Sequence, residues 1–329
     1  MASDFLPSSP LVLNWALSNR CTFRCRHCYS RTEPDGELDT ATVRRLLANV
    51  AEAGVLSVNF GGGEPLLRAD LLDLAACATA CGLAVSLNSN GFLLDRAAAG
   101  ALARAGVRKV GISLDSPRAD VHDAFRGVPG SHARALAALG HLVDAGVEAS
   151  VSCVICRINA DDLEALVEVA SAAGASAVNF HDFKCSGMGL ANRDELDLDP
   201  DAWRRVYGRA LALRACSSVR VLVEDPVTSL LEPRRGAVKG SVCGKVSLYV
   251  RTNGDVTPCG FIPIVLGNLS RDDLRAIWNT SDVLASLRRK RPQGKCAGCG
   301  HWSDCLGGCP ARALALTGDL ASPDPHCWG

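Results

Sequence analysis

The strongest constraint on the fold is a regular alternation of short apolar strands and amphipathic helices over the first two thirds of the chain. Between the predicted strands, apolar residues recur at helical spacing, as they do from Val43 to Val50. Repeated strand–helix units favour parallel strands with right-handed crossovers, in either a doubly wound sheet or a partial barrel. The predicted strands are Leu11–Leu17, Val55–Phe60, Ala84–Asn88, Lys109–Leu114, Ala149–Ile155 and Ala177–Phe180. Glycines placed to cap the intervening helices are Gly54, Gly82, Gly106, Gly146 and Gly174.

Cysteine is the unusual feature of the composition, with 16 cysteines in 329 residues. No secretion signal begins the sequence, so these cysteines indicate metal binding or redox chemistry in a cytoplasmic protein rather than disulfides. The 35 basic and 35 acidic residues cancel, which argues against nucleic acid or an anionic membrane surface as a partner. No apolar stretch approaches the roughly 18 residues of a membrane-spanning helix.

The pattern changes near Cys216, where glycine, proline and cysteine become denser. We therefore predict two domains, residues 1–215 and 216–329. Within the second, Lys245–Arg251 followed by an Asn-Gly turn predicts a hairpin. A single amphipathic helix is expected from about Arg271 to Arg289, before a cysteine-rich tail.

Three cysteines, Cys21, Cys25 and Cys28, directly follow the first predicted strand. Three thiolates on one tight loop can hold three irons of a four-iron cluster and leave the fourth iron open to a ligand. A structural zinc site is the alternative, but it takes four ligands. His27 adjoins Cys28 and cannot easily turn back to the same metal.

This loop resembles that of the radical S-adenosylmethionine (SAM) superfamily. The resemblance implies a [4Fe-4S] cluster on the three cysteines and a turn at Gly62, Gly63 and Glu64 that holds the amino group of SAM. It also implies that Arg126 meets the methionine carboxylate and that His27 lies near adenine. Further SAM contacts are expected at Tyr29, Asn90, Ser113 and Asp115. Taken singly, these residues could equally form a turn, a helix cap or a surface ion pair.

The tail cysteines resemble those of the SPASM domain, which binds two auxiliary [4Fe-4S] clusters in radical SAM enzymes; a pair of zinc ribbons is the alternative. The resemblance assigns one cluster to Cys296, Cys299, Cys305 and Cys327, and three irons of the other to Cys243, Cys259 and Cys309. The eighth position is left to Cys216, a non-cysteine ligand or substrate. The implied fold is α/β, a partial (β/α)6 TIM-like barrel with a small cysteine-rich α+β domain.

Candidate catalytic residues lie just beyond the sixth predicted strand, at Cys185, His181 and Asp182. Some radical SAM epimerases use such a thiol to return a hydrogen atom to a substrate radical, and a wall or core thiol is the alternative for Cys185. His181, Asp182 and the neighbouring Lys184 could bind or deprotonate substrate, or form a solvated rim. In sulfatase-maturing relatives an aspartate follows the cysteine equivalent to Cys259, whereas this chain has Gly260, which argues against that activity.

The resemblance predicts a natural-product biosynthetic oxidoreductase in which reductive SAM cleavage yields a radical that abstracts a hydrogen atom. Only 20 residues precede Cys21, too few for the recognition domain of many peptide-modifying relatives. We therefore expect a small polar substrate, such as a sugar, aminocyclitol, nucleoside or tetrapyrrole, and dehydrogenation, epimerisation or decarboxylation. The alternative is a peptide maturase with a separate recognition partner. In either case a flavodoxin- or ferredoxin-type protein is expected to donate electrons. A non-catalytic electron carrier or zinc-stapled module is a further alternative.

Overall fold

The computed structural model of this chain describes residues 6–32, 36–233 and 238–329. It contains a ten-stranded sheet in the order β10-β9-β8-β1-β2-β3-β4-β5-β6-β7. The strands are β1 (Val12–Ser18), β2 (Ser57–Gly62), β3 (Ala84–Ser89), β4 (Val107–Ser113), β5 (Glu148–Ile155), β6 (Ala177–Asp182), β7 (Arg220–Val223), β8 (Ser247–Val250), β9 (Asp255–Thr257) and β10 (Gly267–Asn268).

Strands β1 to β7 pair in parallel with their sequence neighbours, which confirms the predicted strand–helix units. The helices are α1 (Thr40–Glu52), α2 (Leu71–Ala80), α3 (Arg96–Arg104), α4 (Ala119–Arg126), α5 (Ser131–Asp144), α6 (Leu163–Ala172), α7 (Met188–Ala191), α8 (Arg193–Leu196), α9 (Pro200–Cys216), α10 (Leu274–Thr280), α11 (Asp282–Arg288), α12 (Trp302–Cys305) and α13 (Pro310–Thr317). All five predicted capping glycines have a positive φ, as the turn after a helix requires.

The two faces of the sheet differ because side chains alternate along each strand. One face is apolar and buried against the helices; on β2, for example, Val58 and Phe60 have no exposed surface. The other face, enclosed by the partial barrel, carries partly exposed polar side chains, and we call it the lumen face. On it, Asn59 donates to Asn14 at 3.1 Å and accepts from Ser86 at 3.0 Å. The fold therefore places a polar cavity wall opposite the hydrophobic core.

The tail extends the same sheet. Strand β8 pairs in parallel with β1, and the predicted hairpin forms between β8 and β9. The predicted single helix over residues 271–289 is wrong: the structure has two helices, α10 and α11, separated at Ser281. The Ser281 hydroxyl accepts a hydrogen bond from the Leu284 backbone N–H, so this residue caps the second helix instead of continuing the first. Within the described residues, no helix is long and apolar enough to cross a membrane.

Candidate active site

The N-terminal cysteine loop lies at the carboxyl end of β1 and is fixed to the end of α4. The backbone N–H groups of Arg24 and Arg26 donate to the carbonyls of Arg126 and Phe125, each at 3.1 Å. Cys28 lies close enough to Cys21 and Cys25 for the three thiols to influence one another electrostatically. The loop therefore gathers three thiols at the carboxyl ends of the parallel strands.

The glycine-rich turn after β2 is packed directly on the chain that leads into this loop. Gly63 N–H donates to the Ser18 carbonyl and Glu64 N–H to the Arg20 carbonyl, both at 2.7 Å. Gly62 has a φ of +110°, and a Cβ there would lie 2.4 Å from the Ser18 carbonyl oxygen. A Cβ on Gly63 would lie 2.2 Å from the Arg20 carbonyl oxygen. Only glycine allows this approach of backbone to backbone.

The Glu64 carboxylate is fully buried and points to the end of β3. It accepts hydrogen bonds from the Asn90 N–H at 2.8 Å, the Ser89 hydroxyl at 2.9 Å and the Leu66 N–H at 3.1 Å. Burial raises its pKa despite these neutral donors. The Asn90 side-chain amide also donates to the Cys21 sulfur at 3.8 Å. Glu64 and Asn90 thus link the third strand to the cysteine loop.

Asp115 and Arg126 form a buried ion pair beside the same loop, with Nε 2.5 Å from Oδ2. Burial alone would raise the pKa of Asp115, but the adjacent guanidinium lowers it below its usual value. Arg126 also donates to the Cys25 sulfur at 3.7 Å. Burial nevertheless raises the pKa of the Cys25 thiol to about 11. The pair therefore holds a fixed positive charge against one of the three thiols.

The aromatic residues of the loop have different surroundings. His27 stacks on Phe125 with the ring centres 4.4 Å apart, and burial lowers its pKa to about 3, so the ring is neutral at pH 7. Tyr29 instead packs against Tyr249 and Phe261 of the tail. A Cβ on Gly260 would lie 2.9 Å from the Tyr29 ring, so an aspartate there would displace this aromatic contact. Ser113 lies on the lumen face at the end of β4, partly exposed.

The tail cysteines form two groups. Cys243 and Cys259 hydrogen-bond to each other and both lie near Cys309; these three are called the inner group. Cys327 lies near two other thiols of the tail. The outer group consists of Cys296, Cys299, Cys305 and Cys327. Cys216 lies apart, exposed at the end of α9, where it precedes β7 at the amino end of the sheet.

The donor sets fit iron–sulfur clusters in chemistry and surroundings. Thiols are the ligands that such clusters use, and hydrogen bonds to the sulfurs, as at Cys21 and Cys25, are typical of them. Among the described residues, no three Cys, His, Asp or Glu side chains converge as they would around a single metal ion. The thiols of a cubane cluster bind different irons and need not meet at one point.

The predicted catalytic residues are separated by the structure. Asp182, at the end of β6, is buried in an ion network. In this network Arg312, whose side chain has no exposed surface, pairs with Asp182, Asp225 and Asp324. Lys184 also binds Asp182, at 2.5 Å. The network joins the barrel to the tail, since Asp324 and Arg312 lie in the last twenty residues.

Cys185 is also buried, and only 2% of its surface is exposed. Its thiol donates to Asp197 at 3.5 Å, and Asp197 in turn contacts the His326 ring, 2.9 Å away, beside Cys327. Burial raises the pKa of this thiol to about 12, so it keeps its proton at neutral pH. A catalytic role for Cys185 stays a prediction.

His181, by contrast, lies on the lumen face and is accessible to water. Protein surrounds the ring, so desolvation lowers its pKa, and the nearby Glu224 carboxylate opposes that effect. Of the three predicted catalytic residues, His181 is the one exposed on the lumen face, whereas Asp182 and Cys185 are buried.

Two family models match the chain: the radical SAM superfamily over residues 15–170, and SPASM, an iron-sulfur cluster-binding domain, over residues 243–300. Mycofactocin maturase MftC of Mycolicibacterium smegmatis is 33% identical over 98% of this chain and 84% of its own length. This chain belongs to the radical SAM superfamily. It is an enzyme of the SPASM-containing branch, and membership implies SAM and iron–sulfur clusters as cofactors.

Other relatives of this radical SAM enzyme differ in their named activities. AdoMet-dependent heme synthase of Methanosarcina barkeri is 29% identical over 98% of this chain and 97% of its own length. PqqA peptide cyclase of Gluconobacter oxydans is 31% identical over 98% of this chain and 91% of its own. Streptococcus suis SuiB bound to S-adenosylmethionine has the same fold, with a TM-score of 0.81 at 19% identity, over 98% of this chain and 78% of that one.

Several residues around the site of this radical SAM enzyme escaped the sequence analysis. Arg312 and Asp324 flank Cys309 and Cys327, but nothing local indicates that they meet Asp182 and Asp225. Glu224 could have been found, since it follows a strand, but β7 was not predicted. Its four residues are too short to stand out next to a long helix.

Proposed function

We propose that this radical SAM enzyme modifies a ribosomally made peptide, by epimerisation or by a thioether or carbon–carbon crosslink. The observation that carries the proposal is the pair of full-length relatives above 30% identity, one named a maturase and the other a peptide cyclase. We infer that a separate partner recognises the peptide. This reverses the preference for a small polar substrate, which depended on the short segment before Cys21.

The lumen face supports a peptide substrate. It presents neutral amide and hydroxyl side chains, and such groups can donate to and accept from peptide groups. Those that are partly or fully exposed on strands β1 to β6 are Asn14, Ser57, Asn59, Ser86, Asn88, Ser113, Ser152 and Asn179. His181 and Glu224 add one ring and one carboxylate at the carboxyl end. We assign these two residues to substrate binding.

In the proposed mechanism, Cys21, Cys25 and Cys28 would hold the SAM-binding [4Fe-4S] cluster. When bound, the cluster and SAM would supply hydrogen-atom abstraction from an unactivated carbon, chemistry that no side chain provides. Asn90 and Arg126 steady the loop through its sulfurs. The lumen face orients the reacting C–H bond, and the barrel wall limits access of water.

The inner and outer groups of the tail would hold two auxiliary clusters, which makes three in all. We expect a flavodoxin- or ferredoxin-type protein to supply the electrons. We propose that the remaining contacts to SAM come from His27, Gly62, Gly63, Glu64, Ser113 and Asp115. Tyr29 is better explained as the contact between that loop and the tail.

The test is a reaction of anaerobically reconstituted protein with SAM, dithionite and the short peptides encoded beside its gene, with and without a small binding protein encoded there. We expect 5′-deoxyadenosine and a modified peptide in proportion. A crosslink removes two hydrogen atoms, and epimerisation in D2O introduces one deuterium. The Cys21→Ala variant is the matched control and should leave the peptide unchanged.

A tetrapyrrole is the second candidate substrate, because the heme synthase relative matches this chain along almost its whole length. The same reaction mixture with a propionate-bearing tetrapyrrole distinguishes the two. Conversion of the tetrapyrrole with no change to any peptide would overturn the peptide proposal.

A further inference from the structure

We propose that Lys184 is a positioning residue that raises the reduction potential of the cluster held by the inner group, by keeping a buried positive charge against its thiolates. This inference rests on the proposed function, because it requires an auxiliary cluster at Cys243, Cys259 and Cys309. It assigns to Lys184 an electronic role in place of substrate binding.

The first step is the position of the ammonium group. Lys184 follows β6 by two residues, and its Nζ lies 2.5 Å from Asp182 Oδ2 and 3.7 Å from Asp225 Oδ2. It also lies close enough to the Cys309 and Cys243 thiols to act on them electrostatically. Its side chain is 16% exposed. The backbone of Lys184 thus lies at the rim of the barrel, and its side chain extends towards the thiols of the tail.

The second step is the charge balance of the buried network. Asp182, Asp225 and Asp324 contribute three negative charges, and Arg312 and Lys184 contribute two positive ones. Arg312 is hydrogen-bonded to all three carboxylates. The Cys309 backbone N–H donates to Asp324 of this network at 2.6 Å, and Lys184 is the cation of the network that acts on the Cys309 thiol. Its Nζ lies 2.5 Å from one carboxylate and 3.7 Å from another, and such partners favour the charged form of the ammonium.

The third step is a comparison with the outer group, which has a different lysine. Lys290 donates to the carbonyls of Gly307 at 3.4 Å and Ser322 at 3.2 Å. It lies near Cys296 and Cys305 of the outer group and acts more weakly on Cys309 of the inner group. It makes no ion pair comparable to that between Lys184 and Asp182 among the described contacts. Lys290 therefore serves as a matched control for a charge near the other group.

The physical effect has a definite sign. A reduced cluster carries one more negative charge than an oxidised one, so a nearby cation stabilises the reduced form and raises the potential. The interaction is strong where water is excluded. Removal of Lys184 should therefore lower the potential of the inner cluster, and removal of a neighbouring carboxylate should raise it.

The experiment is an EPR-monitored redox titration of the full-length protein with both auxiliary clusters loaded. The Cys21→Ala, Cys25→Ala, Cys28→Ala background removes the signal of the SAM-binding cluster. We expect K184M to lower one of the two midpoint potentials by at least about 59 mV, which is a tenfold change in the equilibrium constant of a one-electron step. We expect K184R to restore the parental midpoint potential. We expect K290M to lower chiefly the midpoint potential of the cluster held by the outer group.

The same titration distinguishes the ways in which this inference can fail. If K184M keeps its iron and both midpoints stay at their parental values, Lys184 has no electronic role. If K184M does not load the inner cluster, Asp225→Asn decides, since it should raise the midpoint and an unchanged value overturns the inference. A parental tail that contains no iron would overturn the ligand assignment of the proposed function itself.

Discussion

Two buried arginine–aspartate sites in this enzyme lie at the carboxyl ends of different barrel strands and have different roles. Near β4, Arg126 pairs with one aspartate, Asp115, among the described residues, and another of its nitrogens donates to Cys25. Near β6, Arg312 pairs with three aspartates and reaches from the tail to the barrel. The first positions one charge within a ligand site, whereas the second holds two parts of the chain together.

The thiols that lie against the two sites, Cys25 and Cys309, are equally buried, each 7% exposed. The two regions differ at their other thiols. Cys21 is exposed, so the N-terminal loop remains open to a ligand on one side, whereas the thiols of the inner group are half-buried or buried. An open site suits the binding of a small cofactor, and an enclosed one suits transfer of electrons without access of substrate. The comparison predicts that the two regions can be disabled separately.

The largest expected effect comes from Cys21→Ala, Cys25→Ala, Cys28→Ala. SAM cleavage should fall to background, because no thiol remains to hold the SAM-binding cluster. Iron should fall by about four atoms per chain, the content of one cubane cluster. The measurements are 5′-deoxyadenosine formation with dithionite and iron per chain. Loss of the tail iron as well would show that the two regions are not independent.

The next effect concerns stability and tests the ion network around Arg312. Arg312→Met leaves three buried carboxylates with Lys184 as their remaining cation, and we expect a loss of about 3–5 kcal/mol in the free energy of unfolding. Arg126→Met leaves one buried carboxylate without its guanidinium partner, so the loss in the free energy of unfolding should be smaller. Arg96→Met is the control, since its exposed pair with Asp144 is worth under about 1 kcal/mol. Denaturant titration measures all three, and equal losses at Arg312 and Arg126 would refute the distinction.

The ion network around Arg312 also shows what the sequence could not predict. The strand–helix order, the capping glycines and the β8–β9 hairpin follow from local periodicity and turn chemistry, so they could be predicted. Asp182 and Arg312 are 130 residues apart, and no local pattern encodes their contact. Asp182 therefore resembled a rim residue in the sequence, and the structure finds it buried. The β8–β1 pairing escaped prediction for the same reason.

A smaller effect tests the glycine-rich turn of the N-terminal region. In Gly62→Ala the new methyl group meets the Ser18 carbonyl, at a φ that alanine rarely adopts. We expect about 1–3 kcal/mol of destabilisation and weaker SAM binding, because the turn must move away from the cysteine loop. Gly140→Ala is the control: it has open space within α5 and should stabilise by roughly 0.5–1 kcal/mol. Unfolding titration and SAM binding by equilibrium dialysis measure both, and unchanged SAM affinity in Gly62→Ala would separate the turn from the SAM site.

The last effect, which develops gradually as the pH falls, is a pH dependence specific to the Asp115–Arg126 region. His122 is buried there, accepts from the Asp115 N–H at 3.1 Å, and has its pKa lowered by burial from 6.5 to about 4. Between these values the unfolded chain binds a proton that the folded chain does not, so stability falls as the pH decreases from 6.5 towards 4. The contribution is about 1.4 kcal/mol for each pH unit, and it levels off below the folded pKa. In His122→Asn, whose side chain can still accept the hydrogen bond but does not titrate, this part of the slope should disappear. Unfolding titrations at pH 7, 6 and 5 measure it. A variant slope equal to that of the parent would mean that His122 binds its proton equally well in the folded and unfolded chains, and that burial does not lower its pKa.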